Sequence, residues 1–253
     1  MEGKKREFGV HLSMVVSSIL MASLVFAGTF FSGTILADDA LWFSEIALGG
    51  VATTGNTDER NLKLRIVAKR DNSSTRFAQK FHIDALNNSK DKVKTAQKIY
   101  GFYELDYKLQ NNSAIYGRVS YEDDRFSGFD YQADLTMGYD RQLFENKKML
   151  LKGNLGVGVR VSQLEVGDRE NEVILRVGGD YRWQLSSNSV FEQILSAEIG
   201  SDATIMRSET SLSSDIVGNL AMKLALNVKH QSEVPVGSEK TDTETSVTLV
   251  YKF

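Results

Sequence analysis

The stretch that decides the fold is TETSVTLVYKF, residues 243–253. Successive side chains of a β-strand point to opposite faces, and here one face is apolar while the other is mostly polar. Val247, Leu249, Tyr251 and Phe253 form the apolar face. Such a face, ending in two aromatic residues, is typical of the closing strand of a barrel whose wall meets lipid. We predict that these four residues form an assembly signal, and that removing Phe253 impairs insertion.

The same period of two continues through most of the chain. Apolar residues alternate with mostly basic ones in residues 62–69, and with acidic and amide residues in 131–140. No helical period competes over a comparable length. Eleven separators rich in Asn, Asp, Gly and Ser divide the alternating runs, because these residues tolerate turn conformations. The pattern predicts about twelve strands, with the weakest signals at 43–53, 190–199 and 206–217.

Charged residues of both signs on the second face are compatible with two all-β folds. A soluble sandwich could pack its apolar faces together and leave the charges outside. A membrane barrel turns the apolar face to lipid and the polar face to its lumen. Long strands, an even strand number and the aromatic closing strand favour the barrel. We therefore predict a single antiparallel transmembrane β-barrel of about twelve strands, in the outer membrane of a Gram-negative bacterium.

Connection lengths and aromatic residues indicate an orientation for this barrel. With both ends of the barrel in the periplasm, the connections near 71–74, 110–113, 145–147, 186–189 and 218–219 are periplasmic and short. Those near 87–95, 123–129, 164–170, 200–205 and 234–242 are external and mostly longer. Outer-membrane barrels have this asymmetry. The aromatic residues expected on the lipid face near the periplasmic ends are Trp42, Tyr107, Tyr139, Trp183, Phe191, Tyr251 and Phe253, with Tyr121 and Tyr131 at the outer ends.

The first residues have the pattern of an export signal. A basic start at Lys4, Lys5 and Arg6 is followed by an uncharged stretch over 14–36 and then by Ala37, which precedes two aspartates. This order is typical of a secretory signal peptide. We predict that residues 1–37 are removed by cleavage after Ala37 and that residues 38–253 form the barrel. The apolar stretch is also long enough for an uncleaved anchor helix.

Composition narrows the classes of partner and chemistry. The net charge of −3 gives no strong attraction to nucleic acid, and we expect no nucleic-acid partner. The chain has no Cys and three His, which excludes disulfides and makes a transition-metal site unexpected. A glycine-rich run over 153–158 lies inside an alternating strand with no helix after it, so it is not a nucleotide loop. We expect no cofactor, and we interpret these glycines as permitting curvature or close strand contact.

Two stretches carry a resemblance to a known family. The Gly55-Asn-Thr-Asp58 turn, after a glycine-rich first strand, and the closing segment 240–253 resemble the YdiY-like family. Its members are described as salt-induced outer membrane proteins and as a domain of unknown function. The resemblance extends over most of the chain from residue 38 in strand rhythm, and it implies an outer-membrane barrel. It implies no catalytic or binding residues.

The positions that alternate with the apolar ones along each strand are predicted to face the lumen, and many of them are charged. Basic residues fall on the second, third and seventh strands and acidic ones on the ninth and tenth, so a basic wall should face an acidic wall. The side chains expected to set ion selectivity are Lys63, Arg65, Arg76, Lys80, Arg160, Glu192 and Glu198. A twelve-stranded barrel lies between a filled interior and an aqueous channel. The lumen is thus either a narrow passive channel for ions or small polar solutes, or a salt-bridged interior that only stabilises the barrel.

A third hypothesis is a lipid hydrolase. His230 and Ser232 lie two residues apart near the outer rim, where a base could activate a hydroxyl. No matching Asn is predicted nearby to orient the histidine, so we predict that the protein is not an enzyme. His82 is expected inward in a polar network. The expected partners are outer-membrane lipid, lipopolysaccharide and the barrel assembly machinery, which would bind the closing strand. The basic segment 88–94 could contact lipopolysaccharide phosphates, but we favour a solvated loop there.

Overall fold

The computed structural model describes residues 42–53, 59–72, 74–91 and 93–253, with the backbone alone for 51–53 and Glu59. The predicted signal peptide, its cleavage position at Ala37 and the turn at 54–58 lie outside these residues. Within the described ranges, no helix is long and apolar enough to cross a bilayer.

Alternation of apolar and polar residues produces strands throughout the described chain. The twelve strands are β1 Trp42–Thr53, β2 Glu59–Asp71, β3 Phe77–Lys90, β4 Val93–Lys108, β5 Ser113–Asp124, β6 Phe129–Glu145, β7 Met149–Leu164, β8 Arg169–Gln184, β9 Ser189–Gly200, β10 Thr204–Val217, β11 Leu220–Gln231 and β12 Thr241–Lys252. Each strand pairs antiparallel with its sequence neighbours, and β1 pairs with β12 to close the barrel. The predicted fold, a closed antiparallel barrel of twelve strands, is confirmed.

The outer wall is apolar where a soluble protein would be polar. Leu48, Leu62 and Leu249 are each more than half exposed, at 55%, 59% and 53%, and charged residues on the same strands point inward. A closed barrel with an apolar exterior and a polar interior has the properties of an outer-membrane β-barrel. The chain is accordingly an integral membrane barrel of the outer membrane.

Aromatic residues mark both rims of the apolar wall. We call the end where β1 begins and β12 ends the terminal end, and the opposite end the far end. At the terminal end the rings of Tyr251 and Phe253 pack edge to face, with centroids 4.7 Å apart. Near the far end Tyr121 and Tyr131 stack at 5.9 Å. Rings with polar tips prefer the membrane interfaces, as the sequence pattern predicts.

The strands are longer than the sequence indicates, and the connections are correspondingly shorter. β3 continues to Lys90 and β4 begins at Val93, so the predicted external loop at 87–95 is wrong. Asn88 pairs with Asn61 of β2 and with Ala96 of β4. These ladder partners satisfy the backbone and override the turn preference of asparagine and serine. Among the far-end connections that the structure describes, 232–240 alone is markedly long, so the predicted length asymmetry is largely absent.

Glycines let β6 and β7 approach closely. A Cβ on Gly138 would lie 2.3 Å from the carbonyl oxygen of Leu155, and one on Gly158 would lie 2.3 Å from that of Leu135. No side chain fits at such distances. The glycine-rich run of β7 therefore permits close strand contact, which is one of the two roles predicted for it.

The seam between β1 and β12 is the least paired in the barrel. Its register covers four residue pairs, from Glu45 opposite Lys252 to Leu48 opposite Leu249. Toward the far end β1 continues to Thr53, paired with β2 alone. Behind this unpaired part, the ammonium group of Lys63 on β2 contacts the carboxylate of Glu244 on β12. Since Lys63 pairs with Gly49 of β1, this ion pair bridges the seam on its lumen side.

Candidate functional site

The lumen is the candidate functional site. Its wall is formed by the inward-facing, mostly polar side chains of the twelve strands and encloses a cavity of about 480 Å³. The cavity is lined near the far end by Thr95, Ala96 and Phe126, and near the terminal end by Glu45 and Lys69. Side chains from both ends of the barrel thus contact one continuous space.

In the far-end half, Glu122 on β5 is the centre of an ion-pair cluster. Its carboxylate accepts hydrogen bonds from Lys229 at 2.5 Å and Arg207 at 2.8 Å, and Lys98 lies 3.1 Å away. β11, which carries Lys229, is six strands from β5 in either direction around the barrel. The pair therefore crosses the lumen. Glu122 is only 4% exposed, and a buried carboxylate requires such partners.

Arg207 extends the cluster to β9. Its guanidinium donates to Glu198 at 2.5 Å and lies 5.2 Å from the centre of the Tyr100 ring on β4. Arg176 of β8 also contacts Glu198. Together these side chains form the cross-lumen cluster: Lys98, Glu122, Arg176, Glu198, Arg207 and Lys229. It narrows the passage near the far end.

A second ion-pair group lies about halfway along the barrel. Arg65 on β2 contacts Asp84 at 2.9 Å and, across the lumen, Glu209 on β10 at 2.5 Å. Lys223 donates to the same glutamate at 2.9 Å. His82 lies 2.6 Å from Asp84, which places it in a polar network as expected. Among the described residues no group of three His, Cys, Asp or Glu could hold a metal ion.

Lumen-facing aromatic residues on β4 were not identified from the sequence. Phe102 lies between the imidazole of His82, stacked at 5.0 Å, and the guanidinium of Arg118, 3.5 Å from the ring centre. Arg118 also donates to the hydroxyl of Tyr100 at 2.9 Å. Tyr100 and Phe102 share parity with the inward-facing residues of β4, and this parity could have revealed them.

Arg160 on β7 is fixed inside the wall. It is 1% exposed, contacts Asp134 and Glu172 at 3.0 Å each, and donates to the carbonyl of Ala203 at 3.2 Å. It does not line the cavity. Its charge is therefore balanced by protein groups and is remote from any solute.

The other predicted selectivity residues are placed in different ways. Lys63, Arg65, Lys80 and Glu192 line the cavity, whereas Glu198 belongs to the cross-lumen cluster and does not. Arg76 lies just before β3, is exposed, and donates to the hydroxyl of Tyr107 at 3.0 Å. Arg76 is outside the lumen because the strand, and with it the alternation, begins one residue later.

The predicted separation into a basic and an acidic wall is wrong. β3 carries Asp84 beside the basic residues of β2, and β10 carries Arg207 among its acidic residues. Alternation along one strand shows which side chains face inward, but it does not show which charges meet across the lumen. The structure interleaves the two signs in ion pairs, because buried charges are stable only when paired.

The terminal half of the lumen differs from this arrangement. Five charged side chains project from its wall: Lys80 of β3, Asp106 of β4, Asp140 of β6, Lys152 of β7 and Asp180 of β8. No ion pair within 4.0 Å joins any of these five to another described residue. Ionisable side chains of both signs thus remain available to solvent and solutes in this half.

His230 and Ser232, the two residues of the hydrolase hypothesis, are not hydrogen-bonded to each other in the structure. The imidazole of His230 bonds to the hydroxyl of Thr241 at 2.8 Å, and the hydroxyl of Ser232 accepts from the amide of Thr204 at 2.9 Å. Each is thus engaged with a different partner. That the protein is not an enzyme stays a prediction.

The chain is similar to solved structures of outer-membrane barrels. The translocator domain of the autotransporter NalP from Neisseria meningitidis aligns with 95% of this chain and 98% of its own, at 10% identity and a TM-score of 0.47. The NanC porin aligns with 82% of this chain and 98% of its own, at 10% identity and a TM-score of 0.49.

Sequence comparison agrees with the resemblance noted from the motifs. The chain is 29% identical over 171 residues to the uncharacterized protein YdiY of Escherichia coli (strain K12), covering 67% of this chain and 68% of that protein. The family model described as a protein of unknown function, DUF481, matches residues 46–253. The chain therefore belongs to the DUF481 family.

Proposed function

We propose that the protein is a narrow passive channel for ions and small polar solutes across the outer membrane. The observation that carries this proposal is the continuous cavity lined by polar and charged side chains toward both ends of the barrel. A barrel of twelve strands is wider than the eight-stranded barrels that side chains fill, and narrower than those with wide aqueous channels.

The cross-lumen cluster would set the size limit of this channel. Lys229 and Glu122 meet across the lumen at 2.5 Å, so solutes must pass beside them. A large hydrated solute would have to break ion pairs whose partners are almost fully buried, which costs several kcal/mol. We therefore expect small unit conductance and exclusion of oligosaccharides.

The test is conductance of the purified barrel in a planar lipid bilayer. The wild-type protein should give discrete, small current steps. The double variant Glu122→Ala with Lys229→Ala removes one carboxylate and one ammonium group, so the net charge is unchanged. Arg207 keeps Glu198 at 2.5 Å and Lys98 keeps Asp124 at 3.6 Å. This variant should give larger unit steps, because the passage is widened.

A matched control removes an ion pair outside the lumen. Lys240 and Glu233 lie 3.6 Å apart and are both exposed, so their replacement by alanine should leave the unit conductance unchanged. A folded wild-type barrel and a folded double variant that both carry no current would contradict the proposal.

A second candidate is a non-conducting barrel whose ion pairs only stabilise it. The observation that favours it is the same crossing of the lumen by Glu122, Arg207 and Lys229. Under this hypothesis the wild-type barrel carries no current, and the double variant differs from it only in stability. The regulation of such a protein by salt stays a prediction of the family resemblance.

A further inference from the structure

Five oxygen-bearing side chains of the terminal half lie on adjoining strands of the lumen wall. Asp106 of β4 pairs in register with Tyr116 of β5. Asp140 of β6 pairs with Asn154 of β7, and Asp180 of β8 pairs with Lys152 of β7. Because neighbouring strands lie about 4.8 Å apart, these side chains cover one patch of the wall. All five oxygen-bearing residues line the cavity.

Glycines in the wall leave space for the side chains of this patch. Tyr116 pairs with Gly138, which pairs in turn with Gly156. A Cβ on Gly156 would lie 2.4 Å from the hydroxyl oxygen of Tyr116, and one on Gly178 would lie 2.7 Å from the amide oxygen of Asn154. The hydroxyl and the amide therefore rest on glycine surfaces, where a larger residue would displace them.

Two of the oxygens have no hydrogen-bond partner among the described residues. Tyr116 is 3% exposed, and its hydroxyl makes no hydrogen bond with any described residue. The same holds for the amide oxygen of Asn154. Buried polar atoms nearly always have partners. Since both side chains line the cavity, their partner must come from the cavity itself.

Acidic side chains outnumber basic ones around the patch. Asp140 interacts with Lys152 and Lys80, but also with Asp180 and Glu104. Glu104 is held by Arg118 at 3.1 Å, and Arg176 is held by Glu198. Glu45 and Lys69 line the same half of the cavity and likewise have no ion pair among the described residues, so four carboxyl groups stand beside three lysines. Repulsion among the carboxylates is relieved when a cation lies between them.

From these observations we infer that the patch is a binding site for small hydrated metal cations, formed by Asp106, Tyr116, Asp140, Asn154 and Asp180. Carboxylate and amide oxygens attract hard cations such as Ca²⁺ and Mg²⁺, and a phenol oxygen can accept a hydrogen bond from a water molecule that such a cation carries. Since no three acidic or histidine side chains of the described residues are close enough to chelate a metal, the cation keeps its water shell. If the barrel conducts, as proposed above, cations are then its preferred solutes.

The first test is the reversal potential across a gradient of KCl. The wild-type channel should favour K⁺ over Cl⁻. The double variant Asp106→Asn with Asp140→Asn should lower the K⁺/Cl⁻ permeability ratio by about fourfold. Each carboxylate is expected to contribute about twofold through its Coulomb interaction with the permeating ion in water. Lys152→Gln changes the charge in the opposite sense and should raise the ratio by about twofold.

A matched control is Asp134→Asn. Its carboxylate is held by Arg160 and Ser120, at 3.0 Å each, and does not line the cavity. This variant makes the same chemical change outside the site and should keep the wild-type ratio. An unchanged ratio in both the double variant and Lys152→Gln would overturn the inference.

The second test detects the cation without any current. CaCl₂ is titrated calorimetrically into the folded barrel in a zwitterionic detergent. Wild type and Asp134→Asn should bind Ca²⁺, and the double variant should bind several-fold more weakly. Silent barrels that show this difference would refute the channel and uphold the site. Conducting barrels with equal Ca²⁺ binding and equal selectivity in all variants would uphold the channel and refute the site.

Discussion

In the far-end half of the lumen Glu122 is bonded to three cationic side chains, whereas in the terminal half Asp140 has no ion-pair partner among the described residues. Both are acidic residues at inward-facing positions of a strand. The difference shows that an inward charge has two possible roles. Where the protein supplies the counter-charge, the side chain stabilises the barrel; where it does not, the side chain can act on a solute.

The largest effect should come from replacing one glutamate in each half. Glu122→Gln removes the counter-charge of buried Lys229 and Arg207, and should lower the free energy of unfolding by about 3 kcal/mol. Glu192→Gln is the same chemical change in the terminal half, where the partner Arg182 is 52% exposed, and should cost less than 1 kcal/mol. Urea unfolding of the refolded barrels measures both, and equal losses would remove the distinction.

A smaller effect should separate two inward tyrosines. The hydroxyl of Tyr100 accepts a hydrogen bond from Arg118 at 2.9 Å, so Tyr100→Phe should cost about 1.5 kcal/mol of unfolding free energy. The hydroxyl of Tyr116 has no partner in the described protein, and Tyr116→Phe should be nearly neutral. A large loss for Tyr116→Phe in metal-free buffer would show that the hydroxyl serves the protein and not a cavity cation.

The smallest effect should appear at the seam. Lys63→Met keeps the length of the side chain and removes its contact with Glu244, which is 29% exposed. We expect a loss of about 1 kcal/mol or less, together with faster amide exchange in β12 from Thr243 to Thr248. Exchange at Leu249 and Val250, where β12 pairs with β1, should not change. Uniformly faster exchange would mean that the ion pair supports the whole barrel.

The fold could be predicted from local patterns because alternation is written into each strand separately. The weakest predicted strands, at 43–53, 190–199 and 206–217, are all present within two residues of their predicted bounds. Strand ends were harder to predict. Asn87, Asn88 and Ser89 have turn preferences, yet they lie in β3, because ladder partners on both sides outweigh the local preference of a residue.

The candidate site could be predicted only in part. Parity correctly placed Lys63, Arg65, Lys80 and Glu192 on the cavity wall. It could not distinguish Arg160, which is neutralised inside the wall, from Lys80, which is not in an ion pair. It also gave no reason to single out Asp106, Asp140 and Tyr116, whose importance lies in the partners that they lack.

What the sequence by itself determined is the set of strands, their inward and outward faces, and hence a membrane barrel, since a period of two depends only on neighbouring residues. What only the tertiary structure decided is which charges meet. Glu122 and Lys229 are separated by more than a hundred residues and by half the circumference of the barrel. Whether two such side chains pair depends on barrel closure and strand stagger, which are properties of all twelve strands together.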